Sequence, residues 1–172
     1  LREKLKVPEA LILSTCNRVE IAVIADINGD LGNFMADFRQ VDRKWVEPYL
    51  YHFTGQEALK HLFRVASSLD SMVVGEPQIL GQLKAAYQIA KQEGALGGPL
   101  ETVLARAFNV AKRVRTETEI GQSAVSVSFA AVELAREIFG SLKGKKVLLV
   151  GAGKMSELAA RHLERSGSGE IL

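Results

Sequence analysis

Leu11-Ile12-Leu13-Ser14-Thr15-Cys16-Asn17-Arg18-Val19-Glu20-Ile21 is where the fold of this chain is read. An apolar run, Ala10 to Ser14, enters the stretch and reads as a buried strand. An alternating run, Val19 to Ala25, leaves it and reads as a second strand. Between them stand a hydroxyl, the only cysteine of the chain, an amide and a guanidinium. A turn between strands ordinarily carries Gly, Pro, Asn or Asp for backbone reasons, and only Asn17 serves that purpose. Cys16 has two readings. A lone intracellular cysteine is commonly a small buried hydrophobe. Beside a cation it is a nucleophile, because positive charge raises the thiolate fraction. Arg18 supplies such a charge, or a bidentate grip on a carboxylate.

Composition bounds the rest. At 172 residues the chain is one domain, or one domain and part of another. Its net charge of +2 implies no strong nucleic-acid field. A single cysteine excludes a disulfide framework and fits a reducing compartment. No apolar run approaches a membrane span, and there is no signal peptide. Leu1 in place of Met, and the apolar Ile171-Leu172 at the other end, read as a fragment of a longer chain.

Working outward, residues 1–8 are basic and helix-compatible, with Pro8 as a break. Asn28-Gly29-Asp30 is a turn signal. Phe34, Met35 and Phe38 make a short helical face, and Trp45, Tyr49, Leu50 and Phe53 an aromatic core patch. Thr54-Gly55-Gln56-Glu57 predicts a capping box, followed by a helix that buries Leu59, Leu62, Phe63 and Ala66. His61 lies off that stripe, as an edge histidine with one hydrogen bond. Gly75-Glu76-Pro77-Gln78 starts another helix, with Pro77 at its first position. Ile79, Leu80, Leu83, Tyr87 and Ala90 form its stripe, and Gly94 ends it. Gly97-Gly98-Pro99 opens a third helix, buried through Val103, Leu104, Ala107, Phe108, Ala111 and Val114, with a solvated basic face of Arg106, Lys112, Arg113 and Arg115. Gly121 and Gln122 break it. Ser123 to Phe139 predicts a fourth helix, apolar through Val127, Ala130, Ala131, Leu134 and Ile138 and closed by Gly140.

The last part reads as strand, glycine turn and helix. Lys145 to Val150 is a buried-type strand, and Gly151-Ala152-Gly153 leads into a helix, Lys154 to Arg165, with Leu158, Ala159 and Leu163 inward. This order begins a dinucleotide-binding fold, in which glycines let the backbone approach a pyrophosphate at the helix N-terminus. Ser156 stands where a third glycine is usual. The residue that selects NAD or NADP lies beyond the second strand, so these residues do not choose between them. His52, His61, His162 and Cys16 have no metal-ligand spacing.

Ser14-Thr15-Cys16-Asn17-Arg18-Val19-Glu20 resembles the active-site signature of glutamyl-tRNA reductase. Two further blocks agree in order: Ser68 to Gln82, and Lys112 to Gly121 continuing to Gly151-Ala152-Gly153-Lys154-Met155-Ser156. The resemblance covers essentially the whole chain. It implies an α/β architecture. Residues 1–122 would be an α+β catalytic domain with a helical segment, lacking its N-terminal start. Residues 123–172 would be a connecting helix and the first β-α unit of a Rossmann-type NADPH-binding domain.

The implied activity is NADPH-dependent reduction of glutamyl-tRNA to glutamate-1-semialdehyde through a cysteine thioester, the first step of five-carbon tetrapyrrole (heme and porphyrin) biosynthesis. Cys16 would be the nucleophile. His61, ten residues before Ser71, would be the second catalytic group. Thr15, Asn17, Arg18, Ser71, Glu76, Pro77, Gln78 and Gln82 would line the aminoacyl pocket. Gly151, Ala152, Gly153, Lys154, Met155 and Ser156 would hold NADPH. The implied partners are glutamyl-tRNA, whose phosphates the basic helix would meet, the next enzyme glutamate-1-semialdehyde aminomutase, and a second copy joined through a domain absent here. The implied location is cytoplasmic, off the membrane, with a plastid left open. The fragment itself is not expected to carry out the reduction. Two other classes stay open: a tRNA- or partner-binding module, which needs no thiol, and an ordinary nicotinamide dehydrogenase, which leaves the cysteine block unexplained.

Overall fold

The computed structural model describes residues 1–25, 31–121 and 126–172. The expected turn at Asn28-Gly29-Asp30 and the first residues of the expected fourth helix, Ser123 to Val125, lie outside the described residues. In chain order the elements are α1 (Arg2–Leu5), β1 (Glu9–Ser14), β2 (Val19–Ile24), α2 (Leu31–Arg39), α3 (Arg43–Val46) and a 3₁₀ turn (Glu47–Tyr49). There follow α4 (Gly55–Ala66), α5 (Gln78–Gln92), α6 (Pro99–Glu117), a 3₁₀ turn (Glu119–Gly121), α7 (Val127–Phe139) and α8 (Lys154–Arg165). The fold is α/β and helix-rich.

β1 and β2 pair antiparallel, from Glu9 opposite Ile24 to Ser14 opposite Val19. Leu11 and Leu13 point into the core and Ile12 outward, as the two-residue period of a strand requires. Beneath them α4 contributes Val65 and Ala66, α5 contributes Ile79, Leu83 and Ala90, and α6 contributes Leu100, Leu104, Ala107 and Ala111. The small residues of α6 let the neighbouring helices approach closely. Each fully buried leucine stabilises the fold by about 1.5–3 kcal/mol relative to exposure.

A buried carboxylate ties β1 to α6. Glu9 Oε1 accepts the N–H groups of Gly97 (3.0 Å) and Gly98 (2.7 Å), and Oε2 accepts that of Leu100 (2.8 Å). These are N–H groups at a helix start with no partner inside the helix, and the helix dipole favours a negative charge there. A Cβ on Gly98 would come within 3.1 Å of Glu9 Oε2, so glycine keeps the carboxylate close.

Several expectations are corrected. The capping box at Thr54 is not made: Thr54 is the N-cap but its side chain bonds no helix N–H. Gly55, the first residue of α4, has φ +54°, outside the right-handed region that the residue after a capping box takes. Leu59 is exposed and flanks an open apolar groove with Phe63, Val110 and Val114, while Val65 takes the buried position. Trp45 and Tyr49 are not core residues but stand 70% and 83% exposed. α7 turns Ser128 and Val132 inward and leaves Leu134 and Ile138 exposed, because its packing partner is α8.

α7 and α8 build a second, smaller core from Val132, Leu142 and Leu163, with Ala135, Val147, Leu149 and Ile171 against it. Lys145 to Val150 does not form a full strand. Val147 makes one parallel bridge to Ile171, supported by Val147 N–H to Glu170 O (2.9 Å) and Leu149 N–H to Leu172 O (2.7 Å). A buried-type strand needs neighbours on both sides. Val150, 91% exposed, has none among the described residues.

Replacing Glu9 by Gln should lower stability at neutral pH by about 1.5–3 kcal/mol, the weight of hydrogen bonds to a charged group. Burial alone would raise the Glu9 pKa, but the N–H bonds outweigh it and hold the carboxyl below its ordinary 4.5. A depressed folded-state pKa gives stability that is present above the ordinary value and lost as pH falls through the lowered one. Urea titrations of parent and Glu9→Gln chains should therefore converge in acid. A gap that persists unchanged below the carboxylate range would contradict this.

Candidate functional site

The site begins at the connection between β1 and β2. Thr15 N–H donates to Arg18 O (2.9 Å), closing the turn. The Thr15 hydroxyl fills its centre: Oγ1 accepts from Asn17 N (3.2 Å) and Arg18 N (3.1 Å) and donates to Arg18 O (3.2 Å). With the backbone bonded inward, Cys16 and Asn17 are left exposed at the tip. The exposure removes the buried-hydrophobe reading of Cys16.

Arg18 turns away from the tip. Its Nη1 donates to Asp70 Oδ2 (2.7 Å) and Glu20 Oε1 (3.1 Å), and its Nη2 donates to the Asp70 carbonyl. Burial works against the Arg18 charge, yet the bonds to Asp70 and Glu20 outweigh it and hold the guanidinium more firmly protonated than usual. The same bond from Arg18 holds the Asp70 carboxyl below its ordinary range, against burial. A guanidinium has five N–H groups. The Nε–H and one Nη2–H have no partner among the described residues.

Glu20 reaches further. Its Oε1 also accepts the Tyr51 hydroxyl (2.9 Å), and its Oε2 lies 3.1 Å from His61 Nε2. Burial first, and then the Glu20 charge, push the Tyr51 pKa up to about 12, so the phenol stays a donor. His61 Nδ1 stands 3.9 Å from Asp70 Oδ2, and Arg64 Nη2 lies 3.7 Å from Asp70 Oδ1. Glu20, Tyr51 and Asp70 were not singled out from the sequence. The one local signal was the two-residue spacing of Glu20, in β2, from Arg18, just before it.

Asp70 belongs to the connection between α4 and α5, which is folded onto itself. Ser68 Oγ donates to Glu76 O (2.7 Å), and Gly75 N–H donates to Ser68 O (2.9 Å). Gly75 has φ +85°, and a Cβ there would sit 2.7 Å from Ile120 O, so only glycine fits. Ser71 and Glu76 are half-buried on this connection, and burial raises the Glu76 pKa. Pro77 is the N-cap of α5, one position earlier than expected, and Gln78 opens the helix. Gln82 faces a different space, a cleft of about 870 Å³ between α1, β1 and α5 that it shares with Ser14.

The glycine turn is exposed at Gly151, Ala152, Gly153 and Lys154. Gly151 takes φ +118°, and Gly153 caps α8. This suits a phosphate-bearing cofactor, because an open turn precedes a helix start with free N–H groups. Met155 joins the two parts of the chain: its carbonyl accepts the Ser128 hydroxyl (2.9 Å), and its Sδ lies 3.6 Å from Gln78 Nε2. The basic face of α6 is largely exposed at Arg106, Lys112 and Arg113, with Arg113 paired to Glu117 (2.8 Å) and Arg115 half-buried.

Residues 1–118 match the sequence family described as glutamyl-tRNAGlu reductase, N-terminal domain. The chain belongs to that family. Residues 133–172 match the shikimate / quinate 5-dehydrogenase family. Among relatives of this reductase-family chain, the glutamyl-tRNA reductase of Solibacter usitatus is 60% identical, over 96% of this chain and 40% of its own length. That of Syntrophotalea carbinolica is 58% identical, over 96% and 38%. The solved glutamyl-tRNA reductase of Methanopyrus kandleri aligns with a TM-score of 0.63 and 41% identity, over 99% of this chain and 40% of that one. The chain thus spans about two fifths of the length of the relatives it matches.

Because the Thr15 hydroxyl accepts two turn N–H groups, Thr15→Val should cost about 1–2 kcal/mol, while Thr15→Ser keeps the bonds and costs less than about 0.5 kcal/mol. Denaturation of both variants measures the difference. Equal losses would mean that the methyl group, not the hydroxyl, holds the turn.

Proposed function

We propose that the protein containing this chain reduces glutamyl-tRNA to glutamate-1-semialdehyde, opening the five-carbon route to tetrapyrroles. The observation that carries this reading is Cys16, exposed at the tip of a turn locked by Thr15, with Arg18 at the end of the same turn held by Asp70 and Glu20. The glutamyl-tRNA reductase relatives that match nearly all of the chain support it.

The Cys16 thiolate attacks the ester carbonyl of glutamyl-tRNA. A carbon–sulfur bond forms, the bond to the tRNA oxygen breaks, and the tRNA leaves with a proton. Arg18 takes the glutamyl side-chain carboxylate on its remaining Nε and Nη2 donors. Thr15 and Asn17 shape the turn around the acyl group, and Ser71, Glu76, Pro77 and Gln78 border it, while Gln82 lines the separate cleft beside Ser14. His61 assists proton transfer, kept in place by Glu20. NADPH, held at Gly151, Ala152, Gly153, Lys154, Met155 and Ser156, would supply the hydride that takes the thioester to the aldehyde. The shikimate dehydrogenase match over 133–172 fits a shared nucleotide-binding unit and does not account for the cysteine turn. No described helix is long and apolar enough to cross a membrane, and we place the reaction in the cytoplasm.

In the full-length enzyme, Cys16→Ser should leave the fold intact and abolish both the trapped glutamyl-enzyme and turnover. Turnover near the parent level would refute the proposal. Arg18→Lys keeps the charge but loses the planar fork, so kcat/KM for glutamyl-tRNA should fall about tenfold or more. An unchanged kcat/KM would remove Arg18 as the carboxylate anchor.

A further inference from the structure

Between the 3₁₀ turn and α4 the chain runs from Leu50, with φ −85° and ψ 139°, to Thr54, with φ −131° and ψ 158°, both extended. Tyr51 and Phe53 are two residues apart on this strap, so an extended backbone sends both rings to one side. Both rings meet His61. The Phe53 ring lies 4.7 Å from the imidazole at 33°, and the Tyr51 ring meets it edge-on at 5.4 Å and 67°. The two rings also touch each other, at 5.5 Å. Tyr51 is 52% exposed overall, yet its hydroxyl is directed inward onto Glu20.

The hydrogen bonds explain that direction. Glu20 Oε1 holds two donors, the Tyr51 hydroxyl and Arg18 Nη1, and Oε2 faces His61 Nε2. Two donors on one oxygen fix the rotation of the carboxylate, and therefore the direction of the other oxygen. A carboxylate accepts and does not donate, so His61 Nε2 carries the proton in this pair. Nδ1 is then the nitrogen left to act in the neutral ring. Asp70 Oδ2, at 3.9 Å, is too far to compete for it as a direct partner. Arg64 faces Asp70 and reaches His61 only through it.

We propose that Tyr51 is a positioning residue of the active site: its hydroxyl and ring, with the ring of Phe53, hold Glu20 and His61 in the orientation that leaves Nδ1 free for the reaction. This rests on the proton-transfer role given to His61 above. Phe53 sets the plane of the imidazole by packing, and Tyr51 sets its rotation through Glu20.

The test is a mutant cycle in the full-length reductase, with Tyr51→Phe, His61→Asn and the double variant assayed on glutamyl-tRNA and NADPH. Tyr51→Phe keeps the ring and removes one hydrogen bond, so kcat should fall about two- to tenfold, with both KM values and the melting temperature unchanged. On the His61→Asn background it should have no further effect, because residues acting through one group are not additive. Three results overturn the proposal. Parent-like kcat in Tyr51→Phe shows that the hydroxyl positions nothing. An equal loss on both backgrounds shows that Tyr51 acts independently of His61. Parent-like turnover in His61→Asn removes the role of His61, and the strap's role with it; only this third result strikes the underlying reading.

Discussion

The guanidinium of Arg18 joins two segments that the chain places far apart. It sits at the end of the β1–β2 turn and bonds both the side chain and the backbone of Asp70, on the connection between α4 and α5. Its energetic weight is modest. Partly buried ion pairs lose in desolvation much of what they gain in attraction. The consequence is geometric: without Arg18, Asp70 and Glu20 would be two half-buried carboxylates facing one histidine. With it, the turn carrying Cys16 and the loop carrying Ser71 and Glu76 share one frame. Two of the five guanidinium donors have no partner among the described residues, so holding the frame does not exhaust the residue.

That frame rests on a core whose position is fixed from below. Leu11 and Leu13 anchor β1 against α4, α5 and α6, and Glu9 fastens the same strand to the start of α6. The two devices differ in kind. Apolar burial is strong and non-directional, and leaves a strand free to slide. A carboxylate bonded by three N–H groups fixes the register, because even a two-residue slip, which keeps an apolar face inward, would carry Glu9 away from those groups. The turn that starts six residues on, at Thr15, therefore inherits a defined position.

Much of this frame was legible in the sequence. A continuous apolar run located β1 and an alternating run located β2, and glycine and proline marked the limits of α5, α6 and α8. Those signals are local, depending on neighbours a few residues apart. The Arg18 network is not local: Asp70 is 52 residues from Arg18, and Tyr51 is 31 from Glu20. No spacing rule connects them, so nothing in the sequence drew Tyr51 into the site. The aromatic patch failed for a related reason. Aromatic content does not say which side of a segment is covered, and Trp45 and Tyr49 face solvent while Phe53 covers His61. The capping box at Thr54 had the correct residues, but Gly55 adopts a backbone that such a cap does not use.

Met155 bonds to both parts of the chain. Its carbonyl takes an ordinary hydrogen bond from Ser128, which secures the start of α8 to α7. Its sulfur takes the Gln78 amide at 3.6 Å, and a thioether is a weak acceptor. The bond inside the smaller unit is thus stronger than the bond between the units. A side chain with three rotatable bonds and a polarisable sulfur keeps contact through small displacements. The first turn of α8 can then shift against the first turn of α5 without leaving a buried polar group unpaired. A carbonyl or carboxylate in place of that sulfur would fix the two helix starts to each other more firmly.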